Sequence, residues 1–184
     1  MVNGINLEGL KAYTELIAEE ADQAISQYSI TAQWLGGVKS RIQTNNQTLG
    51  STTIVKNFSF GIDEPVELLG DNENPTPQDY LFAGLAGCMM VGFVVGASKK
   101  GLKLESVELH IEGDLNLRGF LNIDPMAAVG FEEINFNYDV KGEGTQADYD
   151  EIIQHVQQFS PNYRTIADRV TLKAKKIIDK SNEN

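Results

Sequence analysis

TPQDYLFAGLAGCMMVGFVVGASKKG, residues 76–101, decides how the rest of the chain is read. Thr76 is a good N-cap, Pro77 suits the first helical position, and Asp79 completes a Thr-x-x-Asp capping arrangement. At the other end Lys99 and Lys100 complement the helix dipole, and Gly101 can adopt a left-handed cap. No charge falls between Tyr80 and Ser98. At 1.5 Å per residue this predicts a helix about 34 Å long. Such a run is long enough for a membrane span, and Gly92 and Gly96 form a GxxxG pair. Its glycines and alanines dilute the hydrophobicity, however, and its flanks alternate like a soluble sheet. The expected reading is a long central helix buried in protein.

Outward from that helix, Ile30–Trp34 and Val38–Thr44 alternate as strands around the Gly36-Gly37 turn. Thr52–Ile62 reads as a third strand, with Phe58, Phe60 and Ile62 on one face. After the helix, Val107, Leu109 and Ile111 alternate with polar residues, as do Ile134, Phe136, Tyr138 and Val140. The long link from Arg118 to Glu133 lies between these strands. An amphipathic helix is expected over Asp148–Phe159, and Ser160-Pro161 ends it and caps a short helix through Ala167. Val170, Leu172 and Ala174 read as a last strand. Leu7, Leu10, Ile17, Ala21, Ala24 and Ile25 give an N-terminal helix with an acidic outer face. The expected class is α+β in the order α-β-β-β-α-β-β-α-α-β. The expected division is an N-terminal helical extension over 1–28, one domain over 29–180 and a tail over 181–184.

Composition limits function. The 184 residues carry 15 Lys plus Arg against 26 Asp plus Glu, a net charge of −11. That balance argues against nucleic acid and against anionic lipid as partners. The start of the chain has no apolar signal region, so a cytoplasmic protein is expected. One cysteine excludes an internal disulfide, and with only His110 and His155 no Cys/His zinc cage can form. No metal and no cofactor are expected. Phosphate-cradling glycine motifs and a GxSxG elbow are absent. Both histidines read as surface residues, and Asp63-Glu64 as a solvated turn.

Cys88 carries the chemical interest. A buried free cysteine is often inert, and a reactive one needs a nearby cation or a helix N-terminus. Cys88 lies some three turns into its helix, beyond the reach of the dipole.

The stretch from Pro75 to Cys88 resembles the central-helix motif of the OsmC/Ohr superfamily, the osmotically inducible protein C and organic hydroperoxide resistance proteins. In order along the chain, Trp34-Leu35-Gly36-Gly37, Ile62-Asp63-Glu64-Pro65, Gly101–Val107, Leu117–Leu121, Val129–Glu132 and Ser160–Ile166 resemble further family segments. The resemblance spans about residues 30 to 176. It implies an OsmC-like fold, an intertwined homodimer with sites at its interface, and reduction of organic hydroperoxides by two cysteines assisted by an arginine and a glutamate. Cys88 matches the attacking cysteine. The resolving cysteine position holds Ser160, the glutamate position Gln78, and the arginine position Val38. Arg41 or Arg164 could supply the missing cation. Two functions follow as expectations. One is a single-cysteine organic hydroperoxide reductase in oxidative stress defence, regenerated by an external thiol. The other is a non-enzymatic dimer binding a small apolar ligand at its interface.

Overall fold

The computed structural model describes residues 1–174. Helix α1 spans Leu7–Glu19. Six short strands follow: β1 (Ser26–Gln27), β2 (Ile30–Gly36), β3 (Lys39–Thr44), β4 (Gln47–Leu49), β5 (Thr52–Ile54) and β6 (Ser59–Ile62). Then come α2 (Pro77–Lys99), β7 (Leu104–Glu112), α3 (Leu117–Phe120), β8 (Asn135–Gly142), α4 (Gln146–Phe159) and α5 (Pro161–Ala167). All pairing is antiparallel, in three sheets ordered β1-β4-β5, β2-β3-β6 and β7-β8. The class is α+β.

The expected caps set the limits of α2. The Thr76 hydroxyl accepts the Asp79 N–H at 3.2 Å, and the Thr76 N–H donates back to the Asp79 carboxylate at 2.8 Å. Gly101 takes φ +76°, which lets the Leu102 N–H reach the Ala97 carbonyl at 3.0 Å and close the last turn. A second capping box, Thr145 with Asp148, starts α4.

The expectation of a buried central helix is corrected. Only 28% of the apolar stretch of α2 is buried. The buried residues Leu85, Met89, Phe93 and Ala97 recur every four positions and form one stripe, while Leu81 and Val91 stay exposed. That stripe packs with Tyr149, Ile152 and Val156 of α4, under the inner face of the β7–β8 pair. Gly92 and Gly96 serve this contact. A Cβ at Gly96 would lie 2.9 Å from the Ile152 side chain, and one at Gly92 would lie 3.2 Å from Val156. An all-apolar helix therefore has one covered face in this chain and one open face.

Three further differences from the expected order have local causes. Thr52–Ile62 is two strands, because β5 pairs with β4 and β6 with β3. Asn45 and Asn46 bend the opposing segment between them, and the Asn46 side chain takes the Lys56 N–H at 3.2 Å. The Arg118–Glu133 link includes part of the one-turn helix α3, capped by Asn116. The expected last strand at Val170, Leu172 and Ala174 does not form. No strand edge among the described residues receives its backbone, and Leu172 is 92% exposed. The observed order is α-β-β-β-β-β-β-α-β-α-β-α-α. It is the architecture of one chain, and nothing in it shows the intertwining expected from the resemblance.

The N-terminal segment is fastened to the end of α2. Asn3 donates to the Ser98 hydroxyl at 3.1 Å and the Leu102 carbonyl at 2.9 Å, and it accepts the Leu104 N–H at 2.9 Å. Nothing in the sequence pattern around Asn3 signals this clasp.

Candidate functional site around Cys88

Cys88 is half-buried in the middle of α2. Its sulfur accepts a hydrogen bond from the Ser160 hydroxyl at 3.2 Å. Ser160 is buried at the corner between α4 and α5. Its N–H ends α4 on the Val156 carbonyl at 2.8 Å, and its Oγ accepts the Tyr163 N–H at 3.4 Å. Next to it, Asn162 donates to the Gly84 carbonyl at 2.7 Å, one helical turn before Cys88. Tyr163 sets its ring edge-on to Phe136 at 6.1 Å. The corner is thus tied to α2 at two points and to β8 at one, and the Ser160 hydroxyl has one bond to accept and one to give.

The remaining sequence-derived positions lie apart. Gln78 is ten residues before Cys88 on the same helix, about 15 Å away along its axis. It sits half-buried on the wall of a separate apolar groove. Val38 is exposed beside Gly36 and Gly37, both at positive φ. Arg41 is exposed on β3, on the opposite face from buried Ile42, and its side chain makes no hydrogen bond or ion pair among the described residues. Arg164 is exposed and binds Asp168 at 2.7 Å. Within one chain, the structure joins Cys88 to Ser160 and to none of Gln78, Val38, Arg41 or Arg164 by a hydrogen bond or ion pair. His110 and His155 are both exposed. No cluster of three His, Cys, Asp or Glu side chains suited to a metal occurs among the described residues.

The Asp63-Glu64 pair differs from the solvated turn expected. Asp63 is fully buried. Its carboxylate accepts the N–H groups of Glu73 at 3.0 Å, Glu64 at 2.8 Å and Asp71 at 3.2 Å. Lys39 clamps the outer side of the same loop through Asp71 at 2.6 Å and Glu73 at 2.7 Å, and these partners raise its pKa. The Glu73 N–H first, then the Glu64 and Asp71 N–H groups and the Lys39 charge, hold the Asp63 carboxyl below its ordinary pKa. This loop delivers the chain to the N-cap of α2. Asx-type hydrogen bonding by Asp63 was available as a signal, since an aspartate ahead of a Pro- and Gly-bearing loop favours such turns.

A folded-state pKa below the unfolded value stabilises the fold above the unfolded pKa, near 3.9, and that stabilisation is lost as pH falls through the folded value. Asp63→Asn should therefore lower the thermal unfolding midpoint at pH 7. The difference from the natural chain should shrink as pH drops below 4. Calorimetry across pH 2 to 7 checks both parts.

Residues 70–175 match the family of OsmC-like proteins. Among solved structures, the OsmC-like protein of Mycoplasma pneumoniae superposes with a TM-score of 0.60 at 19% identity, over 77% of this chain and 87% of that one. An OsmC-like protein of unknown function from Vibrio cholerae gives 0.60 at 12% identity, over 77% and 94%. An organic hydroperoxide resistance protein OsmC from Legionella pneumophila gives 0.52 at 20% identity, over 76% and 89%. No curated protein matches the sequence. With more than half of the chain matched to the family, and with Cys88 as its single cysteine, the chain belongs to the OsmC-like proteins as a one-cysteine member.

Proposed function

We propose that the protein is a single-cysteine organic hydroperoxide reductase of oxidative stress defence. The observation that carries this reading is the hydrogen bond from the buried Ser160 hydroxyl to the Cys88 sulfur. A donor aimed at sulfur favours the thiolate over the thiol. The similarity to a Legionella pneumophila protein described as an organic hydroperoxide resistance protein fits the same chemistry.

In the proposed reaction the Cys88 thiolate attacks one oxygen of R–O–O–H. An S–O bond forms, the O–O bond breaks, and the alkoxide leaves as the alcohol after taking a proton. Sulfur is oxidised by two electrons to the sulfenic acid. Ser160 has no thiol with which to resolve it. A low-molecular-weight thiol condenses with the sulfenic acid, releasing water and leaving a mixed disulfide. A second thiol then frees Cys88 and departs as the oxidised disulfide. A free cysteine that depends on outside thiol suits the reducing cytoplasm, where we place the protein.

The reading extends to a homodimer. Trp34 is 75%, Phe58 66% and Val91 65% exposed, more large apolar surface than a lone soluble chain normally leaves open. In that assembly the cation proposed to support the thiolate is Arg41 or Arg164.

Peroxide consumption with excess monothiol tests the enzyme directly. The natural chain should turn over cumene hydroperoxide, and Cys88→Ser should lose all turnover. Equal rates in the two would overturn the reading. Arg41→Met or Arg164→Met should slow oxidation of Cys88, and equal rates in both variants and the natural chain would remove the arginines from the reading. Sedimentation at micromolar concentration should give twice the chain mass of 20.3 kDa.

A further inference from the structure

Asn3 is the only asparagine of the chain that is followed by glycine. It stands in a tight turn, where the Ile5 N–H donates to the Val2 carbonyl at 2.9 Å and the two residues form an antiparallel bridge. Asn3 at φ +50° and Gly4 at φ +77° both lie in the left-handed region, as a type I′ turn requires of its central pair. Asn-Gly suits that turn better than almost any other pair. It is also the pair in which a side-chain amide is most open to attack by the next backbone nitrogen, because glycine has no side chain to shield it.

The fold holds that amide away from the attack. Its nitrogen donates to the Ser98 hydroxyl at 3.1 Å and the Leu102 carbonyl at 2.9 Å, and its oxygen accepts the Leu104 N–H at 2.9 Å. Ser98 is 1% exposed, so its hydroxyl has no water in place of these neighbours. Helix α1, which follows, has no buried residue, so packing of that helix adds little to the attachment.

We propose that Asn3 is a deamidation site gated by this clasp, and that deamidation releases the N-terminal segment from the end of α2. When the clasp opens, the Gly4 nitrogen gives its proton to hydroxide and attacks Cγ of Asn3. A C–N bond forms, the Cγ–Nδ2 bond breaks, and the leaving nitrogen takes protons from solvent to depart as ammonia. Water then reopens the five-membered imide to aspartate or isoaspartate, with no change of oxidation state. Neither product restores the clasp. A carboxylate has no N–H for the Leu102 carbonyl and sets acceptor against acceptor there. Isoaspartate also adds a methylene to the main chain inside the two-residue turn. Ser98 lies ten residues beyond Cys88, about 15 Å along α2, so this chemistry is independent of the peroxide reading.

The test follows the full chain at mildly alkaline pH, with and without unfolding urea, by mass spectrometry of tryptic peptides. Deamidation adds one mass unit. In urea, Asn3 should react well ahead of Asn6, which shares its peptide ending at Lys11. In the folded chain the Asn3 rate should fall by about tenfold or more, since three hydrogen bonds must open first. Ser98→Ala removes one anchor and should speed the folded-state rate by about fivefold, the factor for one net hydrogen bond. Asn3→Asp makes one product directly, and it should lose amide-exchange protection at Ile5 and Leu104 while the α2 core around Phe93 keeps its own. Equal Asn3 rates in folded and unfolded chain, no deamidation of Asn3 in urea, or unchanged protection in Asn3→Asp would each overturn the assignment. So would a folded Ser98→Ala that reacts no faster than the natural chain. Should that variant fail to fold, the folded-to-urea ratio and Asn3→Asp decide by themselves.

Discussion

Ser160→Cys will form an internal disulfide with Cys88 on exposure to stoichiometric hydroperoxide, where the natural chain gives a sulfenic acid open to outside thiols. The expectation rests on one contact, the Ser160 Oγ at 3.2 Å from the Cys88 sulfur. The corner that carries Ser160 is fixed to α2 by the Asn162–Gly84 hydrogen bond and to β8 by Tyr163 against Phe136. A thiol placed there attacks the sulfenic sulfur, an S–S bond forms and water leaves. The product has two hydrogens fewer than the reduced variant and resists a sulfenic-acid trap such as dimedone. It also links positions 72 residues apart. In the chain-entropy account, closing a loop of that length stabilises the fold by about 4 kcal/mol. The oxidised variant should therefore unfold at clearly higher urea than the same variant with reductant. A variant that keeps trapping dimedone after peroxide, with no mass loss, would show that the two side chains do not meet in solution. The same experiment bears on mechanism. Turnover in the variant should pass from monothiol dependence to dithiol dependence, because the outside reductant then meets a disulfide instead of a sulfenic acid.

Much of the framework was legible because its signals are local. Thr76, Pro77 and Asp79 mark the start of α2 through chemistry confined to three residues, and Gly101 marks its end in the same way. Ser160-Pro161 both stops α4 and starts α5. The failures share a different cause. Burial of α2 depends on what packs against each side, and its apolar residues run all round, so the pattern could not say which face is covered. Only the recurrence of Leu85, Met89, Phe93 and Ala97 against α4 settles that. The Val170–Ala174 segment has strand-like alternation, but alternation does not supply a neighbouring edge. Asp63 looked like a solvated turn residue because its acceptors and donors are all backbone groups of its own loop, invisible to a count of charges. At the site, aligning motifs placed Cys88 and Ser160 as a pair of positions. The hydroxyl-to-sulfur contact itself needed the three-dimensional corner between α4 and α5.

Phe93→Ala should destabilise the protein by about 3–5 kcal/mol, a large part of the 5–15 kcal/mol that holds a typical domain folded. Phe93 is fully buried at the centre of the α2 stripe. Its ring stacks on Tyr138 of β8 at 4.7 Å and leans on Tyr149 of α4 at 5.9 Å, so it joins helix, sheet and second helix in one contact. The void left by its removal cannot easily close. Gly92 and Gly96 already let Val156 and Ile152 of α4 sit against the α2 backbone, and no slack remains for that helix to move inward. Urea titration should show a lower midpoint with an unchanged m-value, and Phe93→Leu, which leaves a smaller cavity, should fall between the two. Val91 supplies the contrast on the same helix, since it is 65% exposed in the single chain. Val91→Ala should cost less than about 0.5 kcal/mol if that face meets water. If a second copy covers it, the cost should be larger and should grow less visible on dilution, as the assembly comes apart. Measuring both variants over a range of protein concentrations separates the core that one chain builds alone from the surface that needs a partner.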